Sequence, residues 1–468
     1  MSVAGGDPVE LLSRAVATTD WDSAPVAVRD RVLDLVADSI AVTALGSARS
    51  ELRAMVRAHE TTPEGAATVV GSPRGWPAST AILLNGSAVA ADQLQDGHRE
   101  ARGHPASHVV AAVMAHAEER DATGPELLSA VLAGYEAGIR VGRAMGGTPD
   151  GVHDIGTWGE LAACVGVARL LAGKDAATAR RAIELAASAV LLTDARTVFA
   201  GTTGSHVFLG ASAQLAASLG VAATAGLHAA EGSLDRHLGH VAARAWEPAA
   251  LTDGVGATWE RYDVLGGYVK QHPSCAHLHG VNDAVADLLE LGLRAGDISE
   301  IEVRAFGGAA QFHEVAQGEL AARFSVPTTT AVALVTGRLD ESTLDDATVR
   351  SPQVQDFAAR VRVVHDSDLD RGYPAGRPAR IRAFLTDGRV VEAGADRPRG
   401  DADRAFPRAE LAAKAARLLG HRFGGHGAPV RDAVAALADG GRVRGVGAAL
   451  RLAAARAAGT SPDDGDRS

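Results

Sequence analysis

The sequence predicts a mostly α-helical protein with a smaller α+β domain. Aromatic residues make up only 4% of the chain while alanine and glycine are abundant, a composition that favours closely packed helices over a β-sandwich. Apolar residues recur at helical spacing over most of the length, and the alternation typical of strands first appears after residue 257. At 468 residues and 46% hydrophobic content, the chain is long enough to bury the cores of two or three domains.

The helices predicted before residue 257 are marked by apolar spacing and by capping residues. In the first, apolar residues recur every three or four positions from Val28 to Ile40, and Gly46 is a suitable end. Thr123 opens a Thr-Gly-Pro-Glu capping box, which predicts the start of another helix. Further helices are predicted at residues 78–91 and 176–192 and, after a polar loop, within residues 201–219.

The later part of the chain mixes strands with helices. Ile301, Val303 and Ala305 alternate with charged neighbours, as in a strand with one buried face. Residues 361–365 predict a second strand, and residues 380–393 predict two strands joined by a tight turn at Asp387-Gly388. Residues 328–337, 408–419 and 433–458 are expected to be helical. We therefore expect a helical domain formed by residues 1–256 and 394–458, an inserted α+β domain at residues 257–393, and a disordered tail at residues 459–468.

Charge and cysteine content narrow the class of partner. The formal net charge of −11 argues against nucleic acid or an anionic membrane, because both are bound through basic surface. The two cysteines, Cys164 and Cys275, form neither a disulfide framework nor a zinc knuckle. The N-terminal residues lack the basic start and apolar centre of a signal peptide, and no unbroken apolar run reaches 18 residues. These features predict a cytoplasmic enzyme or binding protein.

The first candidate for a functional segment is ADQLQDGHREARGHPASHVV, residues 91–110. It places Asp96, His98, His104 and His108 in a polar, glycine-containing segment between two apolar ones. Catalytic side chains commonly lie at such junctions, because the flanking elements hold them rigidly. The alternative interpretation is a surface loop with scattered histidines.

Lysine is rare in this chain. Only three of the 46 basic residues are lysines, namely Lys174, Lys270 and Lys414. A lysine kept in such a background can have a functional reason, because its compact ammonium can shift its pKa and the guanidinium of arginine cannot. A single codon difference is the alternative explanation for each of the three.

Histidines near Cys275 could suggest a metal site. His272, His277 and His279 lie close to it in sequence, but one cysteine with adjacent histidines lacks the paired spacing of a structural zinc site. We therefore predict no metal and interpret Cys275 as a small buried residue that shapes its loop. Solvent-exposed or structural roles are expected for the remaining histidines singled out, which are His108, His116, His228, His237 and His240.

Four motifs in a fixed order carry a resemblance to a known family. They are LLNGSAVAADQLQDGH followed by His104-Pro105, GVHDIGTWGELAA around His153, KQHPSCAHLH at residues 270–279, and ARFSVPTTTAVALVTGRL. In these motifs the chain resembles the MmgE/PrpD family over nearly its whole length. That family includes 2-methylcitrate dehydratase, cis-aconitate decarboxylase and iminodisuccinate epimerase. The resemblance implies a large helical domain with a smaller α+β lid, usually as a homodimer, and chemistry without metal or organic cofactor in a cleft between the domains.

The resemblance also assigns candidate site residues. His104 and His153 match the family's histidines and become the candidates for proton transfer, since imidazole titrates near neutral pH. Lys270 matches a family lysine, which implies binding of a substrate carboxylate and stabilisation of negative charge. Asp96 and His98 are expected to orient the substrate or those histidines. The remaining substrate-binding candidates are Ser205, His206, Cys275 and His279.

Departures from the family pattern bear on the substrate. Many relatives read Asp-Phe-Asp-Asp-Thr where this chain has Gln93-Leu94-Gln95-Asp96-Gly97, so two acids and a hydroxyl are lost. Ser205 stands in place of a second family lysine, and Thr328 replaces a common tyrosine. These losses indicate a substrate with fewer carboxylates than citrate or aconitate, or a different binding pose.

The function predicted from the sequence is therefore a cofactor-independent lyase, either a dehydratase or a decarboxylase, that acts on a small carboxylic acid. An epimerase or isomerase that uses the same site is the first alternative. A catalytically inactive binding or scaffold protein is the second.

Overall fold

The computed structural model describes residues 7–459, and most of them are helical. The first α-helices of the larger part are α1 (Pro8–Thr18), α2 (Val26–Gly46), α3 (Ser50–Ala58), α4 (Ala78–Ala90), α5 (Pro105–Arg120), α6 (Gly124–Ala144), α7 (Trp158–Ala172), α8 (Ala176–Ala187), α9 (Ala195–Phe199) and α10 (His206–Thr224). After the segment that forms the smaller part, the chain returns to the larger part with α18 (Arg408–Phe423), α19 (Ala428–Ala435) and α20 (Val443–Gly459). Two short antiparallel pairs accompany them, β1 (Ala67–Thr68) with β2 (Gly75–Trp76), and β3 (Gly97–His98) with β4 (Gly267–Tyr268).

The smaller part combines a four-stranded sheet with helices. Its helices are α11 (His279–Glu290), α12 (Gly307–Ala310), α13 (Glu319–Ala322), α14 (Val326–Thr336), α15 (Asp346–Val349), α16 (Pro352–Ala358) and α17 (Ser367–Asp370). The sheet has the order β6 (Val361–His365), β5 (Ile298–Ala305), β7 (Ala379–Leu385), β8 (Val390–Ala395). Strands β5 and β6 are parallel, whereas β7 is antiparallel to both of its neighbours.

Each part has its own apolar core. The larger core gathers the buried faces of the helices around α2, α5, α6 and α7, and α18 to α20 return to it. The smaller core lies between the sheet and helices α11, α14 and α16. This arrangement confirms the predicted fold class, a mostly helical protein with a smaller α+β domain.

Most predicted elements are present, with two differences at helix ends. Thr123 caps α6 with the expected capping box, and β7 and β8 meet at a turn in which Gly388 has a φ of 89°. The helix expected at residues 176–192 ends at Ala187. The helix expected at residues 433–458 is divided into α19 and α20, because Gly440 adopts a left-handed φ of 87° that ends one helical segment before the next begins.

The chain passes from the larger core to the smaller core later than residue 257, where the boundary was predicted. Trp259, Val264 and Val269 pack in the larger core, and the first residue after them in the smaller core is Cys275. The domain limits themselves stay a prediction. Of the tail expected at residues 459–468, Gly459 is the last residue of α20, and residues 460–468 lie outside the described part of the chain.

Within residues 7–459, one helix has the length and apolar composition of a membrane-spanning segment. Residues Thr203–Thr224, which include α10, are long and apolar enough to cross a membrane. This helix packs against α4 and α7 in the larger core. Buried core helices share that composition, and the small residues of α10 allow close packing: Gly210 lies against Gly86 of α4.

Candidate active site

A cavity of about 190 Å³ lies where the two parts meet. The larger part lines it mainly with two loops, residues 93–104 before α5 and residues 147–158 before α7. The smaller part contributes residues 275–277 and the side chains of Phe324, Tyr373 and Arg377. Both loops of the larger part end at a helix that is packed into the core, so their side chains are held by rigid elements.

His104 lies directly before α5, whose first residue is Pro105. Its Nδ1 donates a hydrogen bond of 2.6 Å to the backbone oxygen of Asp96. A carbonyl oxygen only accepts, so Nδ1 carries the proton and Nε2 has a free lone pair in the neutral ring. Burial lowers the pKa of His104 well below its usual value, and the nearby Lys270 ammonium acts in the same direction. The ring is therefore neutral near pH 7.

His153 lies in the loop before α7. The backbone N–H of Ile155 donates to its Nδ1 at 3.2 Å, and the Asp154 carboxylate lies 3.1 Å from the same nitrogen. The amide N–H requires a lone pair on Nδ1, whereas the carboxylate accepts a proton from it, so the two contacts favour opposite tautomers. The ring also packs edge-on against Phe199, with 5.4 Å between the centroids. His104 and His153 thus line one cavity, and the Nδ1 of each ring faces a neighbouring polar group.

Lys270 lies behind the wall of the cavity. Its side chain is fully buried, and its Nζ donates to the backbone oxygen of Gln93 at 3.0 Å. Burial lowers the pKa of Lys270 to about 8, although the neighbouring Cys275 thiol acts in the opposite direction. Lys414 holds the next carbonyl, that of Leu94, at 3.4 Å and pairs with Asp38 at 2.7 Å. Two of the three lysines therefore fix the loop on which Gln93 adopts a positive φ of 53°.

Asp96 and His98 support this loop. The Asp96 carboxylate accepts hydrogen bonds from the backbone N–H groups of Ala106 and Ser107, at 3.1 and 3.3 Å, and so caps α5. Burial raises its pKa to about 6. His98 lines the cavity, but both of its ring nitrogens are engaged, Nδ1 by the N–H of Ala101 and Nε2 by the oxygen of Asp263. Burial lowers the pKa of His98 to about 4, so this histidine is neutral.

Ser205 and His206 lie away from the cavity. The Ser205 hydroxyl donates to the oxygen of Thr202 at 2.8 Å, directly before α10. His206 is buried, with its Nδ1 at 3.7 Å from the Glu51 carboxylate, and Asp92 is also close. Burial lowers the pKa of His206. These two residues therefore belong to a separate polar cluster between the two parts.

The segment around Cys275 is divided between cavity and core. Cys275 lines the cavity, and burial raises the pKa of its thiol. His279 begins α11 outside the cavity and packs edge-on against His272, with 5.6 Å between the ring centroids. Of the nine site residues predicted from the sequence, the cavity brings together four, which are His98, His104, His153 and Cys275.

Three arginines that line the cavity, Arg102, Arg244 and Arg377, were missed by sequence reasoning. Arg377 is buried and donates to the oxygens of Pro374 and Gly376, and burial lowers its pKa to about 10. Arg102 donates to the oxygen of Gly146. Neither Arg102 nor Arg377 has a carboxylate within 4.0 Å among residues 7–459, whereas Arg244 lies 3.9 Å from the exposed Asp150. Sequence reasoning singled out the rare lysines and not the abundant arginines.

Aromatic side chains in the cavity were also missed. Five of the chain's aromatic residues line it, namely Trp158, Phe199, Tyr268, Phe324 and Tyr373. His277 lines it as well, and burial together with Arg377 lowers the pKa of His277 well below its usual value. The position of His277 in the third motif, two residues after Cys275, was a signal that could have found it.

Within residues 7–459, no three side chains of histidine, cysteine, aspartate or glutamate come together as a metal site. The side chains near Cys275 do not converge on one point. His277 contacts the Phe306 and Tyr373 rings, whereas His279 contacts His272.

The chain is similar to known proteins over both of its parts. Residues 10–247 match the model of the MmgE/PrpD N-terminal domain, and residues 272–439 match that of the C-terminal domain. A cis-aconitate decarboxylase of Aspergillus terreus is 26% identical over 412 residues, which cover 81% of this chain and 82% of the relative. A cis-aconitate decarboxylase-like protein, oryM, of Aspergillus oryzae is 33% identical over 158 residues, 31% of this chain and 33% of that protein. At the level of the family, these matches support an enzyme of the lyase type, and the chain belongs to the MmgE/PrpD family.

Proposed function

We propose that this protein is a cofactor-independent lyase that removes water or carbon dioxide from a small carboxylic acid. The observation that carries the proposal is the placement of His104 and His153 in one cavity, with Nδ1 of His104 donating to a carbonyl oxygen and Nδ1 of His153 beside the Asp154 carboxylate. The His104 ring offers a lone pair at Nε2, and we assign the delivery of a proton to His153. These are the two functions that general acid–base catalysis requires.

His104 is the proposed base. Its Nδ1 proton is bound by the Asp96 carbonyl, so Nε2 is the nitrogen that can accept a proton from the substrate. Because Asp96 also caps α5 through its carboxylate, the same residue fixes both the helix and the ring. In this proposal Asp96 orients His104 without contacting the substrate.

His153 is the proposed acid. Its Nδ1 lies against the N–H of Ile155 and the Asp154 carboxylate, and its Nε2 has no hydrogen-bond partner among residues 7–459. In a dehydration, His104 takes the proton from the carbon beside a carboxylate, the C–O bond breaks, and His153 protonates the departing hydroxyl to give water. In a decarboxylation, the C–C bond breaks, carbon dioxide leaves, and the electron pair left on carbon takes a proton from His153.

Positive charge in the cavity fits an anionic substrate. Arg102 and Arg377 have no carboxylate partner within residues 7–459 and can bind substrate carboxylates, which they are suited to hold in a bidentate manner. In this proposal they supply the charge that a lysine at position 205 would have given. Lys270, whose ammonium perturbs His104, is assigned to the stabilisation of negative charge that develops on the substrate.

One observation favours an epimerase as the second candidate. The two histidines reach the cavity from separate loops, before α5 and before α7, and such a pair can remove a proton on one side of a carbon and return one on the other. The atoms lost from the substrate, and not the residues, distinguish the two reactions.

The test is a screen of small mono-, di- and tricarboxylates, including cis-aconitate, followed by proton NMR in D₂O. A lyase gives a product that has lost water or carbon dioxide. An epimerase incorporates deuterium at the carbon beside the carboxylate without either loss. Absence of turnover for every acid, with binding retained, would favour the binding or scaffold protein.

Variants connect the activity to the site. His153→Ala should abolish turnover while the protein remains folded, as judged by circular dichroism. His228→Ala is the matched control, because this histidine is exposed and lies outside the cavity. Full activity of His153→Ala would contradict the assignment of the acid.

A further inference from the structure

Gly97 and Tyr268 face one another across the short antiparallel pair of β3 and β4. A Cβ atom added at Gly97 would overlap Cζ and Oη of Tyr268 and would lie 2.7 Å from its Cε1. Cβ atoms do not approach other atoms so closely, so the tyrosine ring fills the space where the side chain of any other residue 97 would lie. Gly97 and Tyr268 therefore form one steric unit.

The guanidinium of Arg99 lies over the ring of Tyr268, with its carbon 3.9 Å from the ring centroid. Arg99 is itself fixed by Asp401, to which Nη2 donates at 2.6 Å (Oδ1) and Nε donates at 3.1 Å (Oδ2). The ring thus has a defined position in the wall of the cavity that also contains His104.

The hydroxyl of Tyr268 has no hydrogen-bond partner among residues 7–459. The side chain is only 3% exposed, and burial raises the pKa of this phenol. The hydroxyl is therefore protonated throughout the neutral range and can donate. An acceptor from a ligand in the cavity would give this hydroxyl the hydrogen-bond partner that residues 7–459 do not supply.

We propose that the Tyr268 hydroxyl is a substrate-binding group that donates a hydrogen bond to a carboxylate oxygen, and that Gly97 is the residue that makes room for it. Many relatives have a threonine where this chain has Gly97, and in this proposal the Tyr268 hydroxyl takes the place of the threonine hydroxyl. This inference rests on the proposed function, because it requires a carboxylate in the cavity.

Tyr268→Phe tests the hydroxyl alone, since the ring, its fit over Gly97 and its contact with Arg99 are kept. Loss of a hydrogen bond to a charged oxygen should lower kcat/KM for the substrate found in the screen by about tenfold to a hundredfold. The affinity for propane-1,2,3-tricarboxylate, an unreactive probe measured by calorimetry, should fall to a similar degree.

Tyr135→Phe is the matched control. Tyr135 is fully buried and its hydroxyl also lacks a partner, but it does not line the cavity. This variant should keep wild-type kcat/KM and wild-type affinity for the probe. An equal loss in both variants would show that phenol removal acts through the core, which would overturn the proposal.

A double-variant cycle tests the steric unit. Gly97→Ala should lower the thermal unfolding midpoint in the wild-type background, because the new methyl group displaces the ring, and it should do so much less in a Tyr268→Ala background. Equal effects in the two backgrounds would overturn the steric unit.

The outcomes separate this inference from the proposed function. Wild-type kcat/KM in Tyr268→Phe, together with loss of activity in His153→Ala, would overturn the role of Tyr268 and leave the lyase intact. Binding of the probe without turnover of any acid would overturn the lyase, and the affinity of Tyr268→Phe would still decide the role of the hydroxyl. A wild-type protein that neither binds the probe nor turns over any acid would overturn both.

Discussion

Two buried polar clusters connect the larger and smaller parts of the molecule, and they differ in how their cations are neutralised. The first, the ion network, consists of Arg49 and Asp92 from the larger part with Glu319 and Arg323 from the smaller part. Arg323 pairs with Asp92 at 2.9 Å, and Arg49 contacts both Asp92 and Glu319. Every cation in the network has a carboxylate.

The second cluster is the cavity, where Arg102 and Arg377 donate to backbone oxygens and, within residues 7–459, pair with no carboxylate. Buried charges are stable when they are paired, so the ion network is neutralised by its own carboxylates, whereas these two cavity cations could be neutralised by an anionic ligand. Burial raises the pKa of Asp92, but Arg323 and Arg49 more than offset this and hold it below the usual value. Under the proposed function, therefore, the ion network serves folding and the cavity serves binding.

The largest effect on activity is expected from removal of the proposed base, His104. His104→Ala should lower kcat by about 10²- to 10⁴-fold, because a general base contributes that much to proton transfer. The unfolding midpoint should change little in comparison. Steady-state kinetics on the substrate identified by NMR measure the effect, and a variant with wild-type kcat would remove His104 from the mechanism.

The next largest effect should come from the ion network. Asp92→Asn leaves the buried Arg323 and the partly buried Arg49 without their shared carboxylate and should lower the free energy of unfolding by about 3–5 kcal/mol. Chemical denaturation provides the measurement. Asp150→Asn is the control, because Asp150 is exposed and its side chain lies 3.9 Å from Arg244 at the surface, where ion pairs contribute little. Equal stability of the two variants would contradict the distinction between the clusters.

Arg377→Met should affect binding more than stability. The substrate loses a charged partner, so KM should rise by about tenfold to a hundredfold, while the free energy of unfolding changes by less than about 1 kcal/mol. Arg371→Met, at an exposed arginine of the same segment, should leave KM unchanged. If Arg377→Met instead destabilised the fold as strongly as Asp92→Asn, the cavity would be a structural cluster like the network.

The smallest effect concerns Lys270, a buried cation that binds only a carbonyl. Its pKa of about 8 lies below that of the unfolded chain, so the unfolded state binds more protons above pH 8 and stability rises with pH. Relative to Lys270→Met, the wild type should gain about 1 kcal/mol in free energy of unfolding between pH 8 and pH 9. A pH-independent difference would mean that the ammonium is stabilised by a partner.

Sequence reasoning found the segments of the site better than its side chains. The loops that carry His104, His153 and Cys275 were all predicted, because glycine, proline and polar residues interrupt apolar runs at those points. Arg102 and Arg377 were not predicted, since arginine is the usual cation throughout this chain. Their distinguishing property is the absence of a carboxylate partner, which no linear pattern contains.

Helix ends were predicted less well than the helices themselves. Apolar spacing predicted α2 and α6 because these helices bury one face, and a local capping box marked the start of α6. The division between α19 and α20 was missed, since alanine-rich sequence favours helix on both sides of Gly440. Packing against neighbouring helices decides where such a segment breaks.

The sequence by itself determined the fold class, the family and the loops that contain the site, because periodicity, capping and motif order are local properties of the chain. Only the tertiary structure decided which side chains meet in the cavity. It placed Lys270 behind the wall and Ser205 outside it, and it brought Tyr268 over Gly97, which lies 171 positions earlier in the chain. These placements depend on contacts between distant residues and on which charges remain unpaired after the two parts have packed together.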